Sequence, residues 1–149
     1  MALISVKGGN KKQRALIQNV AYFCAYKLMS KRLANNICVE FELTDLGNNQ
    51  YSGFCSWEDD NIRPREFNIE LHRWVDDEEL IATVCHEMVH VKQYAKEELK
   101  ERFRFGYEER WYNQVVVREE NDANYEELPW EVEAYDMQGK LSDEYIRSR

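Results

Sequence analysis

Two histidines four residues apart, with a glutamate directly after the first, constrain this chain more than any other feature: His86-Glu87-Met88-Val89-His90. On a helix of 3.6 residues per turn the two histidine positions lie about 40° apart, so both imidazoles leave the same face. Neutral imidazoles at that separation suit a divalent cation such as Zn²⁺, and the adjacent glutamate is placed to handle a proton of activated water. The same five letters also arise by chance on ordinary amphipathic helices, so their surroundings must decide.

Those surroundings read as a helix with two distinct faces. Asp76 fits an N-cap, with Glu79 three residues later in capping-box spacing. The helix it opens is expected to run to about Lys100. Its apolar stripe is Ile81, Val84, Met88, Val91 and Ala95, centred almost opposite His86 and His90, which share their face with Ala82, Gln93 and Glu97. Core on one side and imidazoles on the other is what a helix lining a metal cleft requires. Cys85 points away from His86 into the core, which makes a Cys–His nucleophile pair a poor fit.

The 149 residues are expected to form a single domain, 1–149, with enough length to bury a core unaided by disulfides. No apolar run approaches the roughly 20 residues needed to span a bilayer, and the N-terminus lacks the charge order of a signal peptide. A cytoplasmic protein with no membrane partner is the expectation. Its four cysteines, Cys24, Cys38, Cys55 and Cys85, contain no C-x-x-C pair, which excludes a zinc ribbon. A net charge of −8 opposes general affinity for nucleic acid, although Lys7 to Arg14 form a local basic patch. With only three histidines in the chain, a third metal ligand must be His72 or a carboxylate.

The rest of the chain supplies a frame for that helix. After a short, frayed start, Gly8-Gly9-Asn10 breaks the pattern, and Asn10 caps a helix expected over Lys11 to about Ala34. Ile37, Val39, Phe41 and Leu43 alternate with polar residues as a half-buried strand. Gly47-Asn48-Asn49 offers turn chemistry, and Tyr51 to Trp57 reads as the returning strand of a hairpin. A polar loop around Asp59 to Asn61 leads to a third strand at Phe67 to His72, which reads as an edge available to an added peptide strand. Residues 101–128 lack a sustained period. Trp111, Tyr112 and Val115 to Val117 suggest a strand or hairpin there, before the polar run Arg118 to Asn124. Pro129 then fits the first turn of a helix reaching about Leu141, with Glu131 and Glu133 near its start as alternative hard ligands.

Here the residues carry a family resemblance. HEMVH followed at distance by a helical E-x-x-A resembles the gluzincin class of zinc peptidases, in which a glutamate on a second helix is the third ligand and a small residue three positions later admits close helix approach. Glu131 with Ala134 matches that arrangement, whereas Glu133 would place Asp136 in the small position. The resemblance therefore implies His86, His90 and Glu131 as zinc ligands and Glu87 as general base. An acidic or amide residue often stands four after the ligand to orient a histidine; this chain has Tyr135. The element order and the segment Tyr125-Glu126-Glu127-Leu128-Pro129-Trp130-Glu131-Val132-Glu133-Ala134 are also similar to SprT-like metallopeptidases and small phage-encoded proteins related to them. The third histidine and Cys-rich ribbon of typical SprT-like proteins are absent from the sequence, so a role on DNA-crosslinked proteins does not carry over.

The expected fold is α+β: a minimal zincin-like domain with an N-terminal helix, a three-stranded mainly antiparallel sheet, the HEMVH helix, a long connection and a C-terminal helix with the third ligand. The expected function is zinc-dependent hydrolysis of a protein or peptide substrate. Tyr135, one turn from Glu131, is the expected second electrophilic donor, ahead of Tyr112, Tyr125, Arg110 and Arg118. The alternative is a zinc-bound protein that acts by docking on a partner through its acidic surface and the aromatic stretch Phe103 to Tyr112.

Overall fold

The computed structural model describes residues 1–46, 53–57, 64–102, 106–116 and 125–149. The fold begins with a strand, not a frayed end: β1 (Leu3–Lys7) buries Ile4 and pairs in parallel with β2 (Cys38–Thr44). Parallel neighbours need a long crossover, and α1 (Lys11–Leu28) supplies it. Asn10 opens α1 with a complete capping box: its side chain accepts from Gln13 N, and Gln13 Oε1 accepts from Asn10 N. The helix expected to reach Ala34 is broken at Met29, whose backbone is extended; Ser30 then caps a separate turn, α2 (Lys31–Ala34).

The expected hairpin does not form. β3 (Gly53–Trp57) pairs antiparallel with β4 (Glu66–His72), while β4 pairs in parallel with β2 on its other side. The sheet order is β1-β2-β4-β3, a four-stranded mixed sheet where three mainly antiparallel strands were expected. The strand expected at the edge, Phe67 to His72, is thus central. Alternation explains this: Phe67, Ile69 and Leu71 lie beside Val39, Phe41 and Leu43 on one buried face, so β2 and β4 share a single apolar surface. β3 is the edge. The expected turn at 47–49 and the polar loop around Asp59 to Asn61 lie outside the described residues.

The HEMVH motif sits on α3 (Asp77–Ala95), capped as expected by Asp76, whose carboxylate accepts from Glu79 N at 2.8 Å. Ile81, Val84, Met88, Val91 and Ala95 are buried as the core stripe, against the sheet and α1. α3 stops at Ala95, five residues short of the expected Lys100. Glu97 adopts a left-handed conformation (φ 61°), and Glu98 N bonds back to Gln93 O at 2.8 Å. The described parts of the long connection form a second, antiparallel sheet: β5 (Leu99–Arg102), β6 (Glu108–Trp111) and β7 (Gln114–Val116). Tyr112 and Asn113, both at positive φ, make the tight β6–β7 turn, in keeping with the expected hairpin. Residues 117–124 are outside the described set.

After a short 3₁₀ turn at Tyr125–Glu127, α4 (Pro129–Arg147) starts with Pro129 in its first turn, as expected, and continues past Leu141 to Arg147. It packs along α3 with Ala134 wholly buried between them. The architecture is α+β: a mixed sheet, a helical layer of α1 and α3, α4 beyond α3, and the small second sheet beside the α3–α4 junction. Among the described residues, no helix is long and apolar enough to cross a membrane.

Candidate metal centre

The face of α3 that carries the histidines is covered by α4. Glu131 of α4 reaches across the contact between the two helices, with Ala134 one turn on wholly buried. Its Oε1 lies 3.1 Å from His86 Nε2 and 2.9 Å from His90 Nε2, and the two Nε2 atoms are 3.2 Å apart. The structure thus brings together the three residues expected as ligands. Glu133 goes elsewhere: its Oε1 accepts from Lys92 Nζ at 2.7 Å and from Gln93 Nε2 at 3.1 Å.

Each imidazole is held from behind by an amide. His90 Nδ1 is 2.8 Å from Gln93 Oε1, and His86 Nδ1 is 3.0 Å from Gln138 Oε1. Sequence reasoning missed both partners. Gln138 stands seven residues after Glu131, two turns along α4 on the same face, so it takes the orienting role expected four residues after the ligand. Gln93 was visible on the histidine face of α3, and its role was not.

The donor chemistry fits a cation. With both Nδ1 atoms directed at amide oxygens, the Nε2 lone pairs of neutral rings and the Glu131 carboxylate converge on one point. Glu131 is 1% exposed, and its Oε2 is buried with no hydrogen-bond partner among the described residues. A buried carboxylate oxygen left so is costly. His86, His90 and Glu131 form a group whose ligand atoms all lie within 4.8 Å of one another, and two nitrogens with one carboxylate suit zinc.

Without a metal, His90 and Glu131 favour each other's charged form. Burial works against a charged His90, but the Glu131 hydrogen bond and the neighbouring Glu87 and Glu131 charges overcome it and hold the ring at about 9. Burial likewise opposes ionisation of Glu131, and the hydrogen bonds and charges of His86 and His90 outweigh it, holding the carboxyl at about 2. Metal and proton therefore compete for the same lone pairs.

Around the cluster is a cavity of about 550 Å³. Glu87, 5% exposed, lines it beside the histidines, and burial raises its pKa against the lowering effect of both imidazoles. Tyr135 lines it too, 47% exposed, with its ring 4.6 Å from that of His86. Tyr125 is on the wall, whereas Tyr112 is exposed at the β6–β7 turn and Arg110 pairs with Glu108 at 2.9 Å. Arg118 lies outside the described residues. The floor includes Gly53, Cys55, Ser56 and Trp57 of β3. A Cβ at Gly53 would come 2.9 Å from Thr83 Cγ2, so glycine is what lets this edge strand run against the metal helix.

The remaining candidates have other uses. His72 Nδ1 accepts from Leu46 N at 3.3 Å, at the end of β4 and away from the cluster. Cys85 is in the core, its Sγ 3.6 Å from that of Cys24. In the aromatic stretch, Trp111 packs near Trp130 (ring centroids 6.2 Å apart) over a small apolar cluster with Leu99 and Leu128, Tyr107 lines the cavity, and Phe103 and Phe105 lie outside the described residues. No family model matches the chain, and no curated protein or solved structure matches it significantly.

Proposed function

We propose that the chain is a zinc-dependent peptidase of the gluzincin type, built on a minimal zincin-like domain. The observation that carries this reading is the convergence of His86 Nε2, His90 Nε2 and the half-unpartnered Glu131 carboxylate in a cavity that also contains Glu87. His86, His90 and Glu131 would hold the zinc ion, which when bound would supply a Lewis acid for a scissile carbonyl and would lower the pKa of a water molecule to about 7. Glu87 then accepts the attacking water's proton and returns it to the leaving nitrogen, a role that suits a carboxylate whose pKa burial has raised. Tyr135 is positioned at the cavity wall to donate to the developing oxyanion.

Substrate is expected along β3. Among the described residues this strand pairs only with β4, so its outer edge offers backbone groups to an extended peptide next to the metal cluster. On this reading the peptide adds along β3, whereas the sequence pointed to Phe67 to His72.

The test has two arms. Purified protein should contain close to one equivalent of zinc by mass spectrometry, and Glu87→Gln should retain that zinc while losing hydrolysis of unfolded protein substrates by roughly 10²–10⁴-fold. Protein that neither contains nor takes up metal sinks the proposal. Wild-type protein that holds zinc but is inert toward a diverse peptide library leaves a zinc-bound docking protein instead.

A further inference from the structure

We propose that Gln93 is a positioning residue that fixes which nitrogen of His90 faces the metal, and that Glu133 with the Trp130 carbonyl fixes Gln93 in turn; this rests on the zinc reading above. An amide side chain can ordinarily sit either way round, since its oxygen and nitrogen are similar in size. Gln93 cannot. One end of its amide faces two acceptors, the Trp130 carbonyl oxygen at 2.9 Å and Glu133 Oε1 at 3.1 Å, and only the NH₂ group satisfies both. Its oxygen is therefore left facing His90 Nδ1 at 2.8 Å, and that nitrogen must carry a proton to make the bond. The proton on Nδ1 leaves the Nε2 lone pair directed at His86 and Glu131, where the cation belongs.

The orientation is anchored by charge further back. Lys92 Nζ lies 2.7 Å from Glu133 Oε1 and 2.8 Å from Glu98 Oε1, which ties Glu133 in place beside Gln93. Gln93 is 0% exposed, so no bulk water competes for its amide. Glu133, the alternative third ligand by sequence, thus serves the same centre from behind His90. Because Glu131 and Glu133 lie on one helix, the contact that orients Gln93 also sets the position from which Glu131 reaches across.

The experiment compares zinc-loaded wild type, Gln93→Leu and the exchange Gln93→Glu with Glu133→Gln. The leucine removes the acceptor at similar volume. The exchange keeps an acceptor toward His90 and supplies its partner amide from position 133, while it turns a carboxylate oxygen toward the Trp130 carbonyl that Gln93 Nε2 reaches in the wild type. Zinc affinity is read by chelator competition, and the protonated ring nitrogen by long-range ¹H–¹⁵N spectra of histidine-labelled protein. Expected are a His90 proton on Nδ1 in the wild type, a loss of zinc affinity of roughly 10–100-fold in Gln93→Leu with unchanged circular dichroism, and recovery of part of that loss in the exchange, which regains the acceptor toward His90 but not the bond to Trp130. A zinc-loaded wild type with the proton absent from Nδ1 overturns the proposal, as does Gln93→Leu binding zinc like wild type. So does an exchange variant as weak as the leucine, since packing and not the acceptor would then matter. If the leucine variant fails to fold, the wild-type spectrum and the exchange decide. Wild-type protein that takes up no zinc overturns the metal reading and this one together, whereas zinc-loaded wild type with an indifferent Gln93→Leu overturns this one alone.

Discussion

Glu131 and Glu133 stand two residues apart on α4 and serve opposite sides of one histidine: Glu131 Oε1 lies 2.9 Å from His90 Nε2, and Glu133 Oε1 accepts from the Gln93 amide that holds His90 Nδ1. Their substitutions are therefore expected to separate. Glu131→Gln should weaken zinc by more than the roughly 10–100-fold typical of losing a supporting hydrogen bond. Glu133→Gln keeps an acceptor toward Gln93 and should stay within about 10-fold. Chelator competition on both variants measures this, and equal losses would contradict the assignment.

Ala134 is the spacer between the metal helix and α4, wholly buried at their contact. Ala134→Leu should force the helices apart, with a loss of about 1–3 kcal/mol in stability and of zinc affinity at the same time, because Glu131 rides on the displaced helix. Thermal unfolding with and without chelator checks both. Destabilisation with zinc affinity intact would mean that helix spacing does not set the site.

Lys92 ties the end of α3 to Glu133 on α4 and to Glu98 at the start of the second sheet. Lys92→Met keeps the stem and removes the charge, leaving Glu98 buried without its closer cation. The expected loss is up to about 3 kcal/mol, the low end for breaking a buried pair, since Glu133 keeps 25% side-chain exposure and regains water. Denaturant unfolding of the chelator-stripped protein measures it; a variant as stable as wild type would mean that the pair does not hold the junction.

The stripped protein should also have a defined pH profile. His90, raised from 6.5 to about 9, contributes stability that is complete below 6.5 and lost as pH rises through 9. Glu131, lowered from 4.5 to about 2, contributes stability that is present above 4.5 and lost as pH falls through 2. These are two ends of one contact, so stability should form a plateau between about 4.5 and 6.5 and fall on either side. Zinc replaces the His90 proton, so loading should remove the alkaline decline. Melting temperatures that stay flat from pH 6.5 to 9 in chelator would contradict the pairing.

Tyr135 separates packing from chemistry. Tyr135→Phe keeps the ring beside His86 and removes only the hydroxyl, so zinc should remain bound while kcat falls by roughly 10²–10³. Steady-state kinetics on a peptide substrate checks it. An unchanged kcat would reduce Tyr135 to a ring that packs against the imidazole.

The sequence by itself determined the local elements whose signals are written within a few residues. The Asn10 and Asp76 caps, the alternation of β2 and β4, the core stripe of α3, the Pro129 start of α4 and the pairing of His86 with His90 on one face all follow from side-chain period and backbone chemistry. Tertiary structure decided the partners. β1 was hidden because five residues beside a Gly-Gly break carry little periodic signal until β2 pairs with them. The sheet order eluded the sequence because adjacent strands with a turn between them resemble a hairpin, while the shared apolar face of β2 and β4 favours their parallel pairing. The motif's helix announced two ligands and the E-x-x-A spacing pointed to Glu131 as the third, whereas the fixing of His90 by Gln93, and the place of Glu133 behind it, waited on how α4 packs against α3. Across that packing Lys92 of α3 pairs with Glu133 of α4, a contact that neither residue names in the sequence.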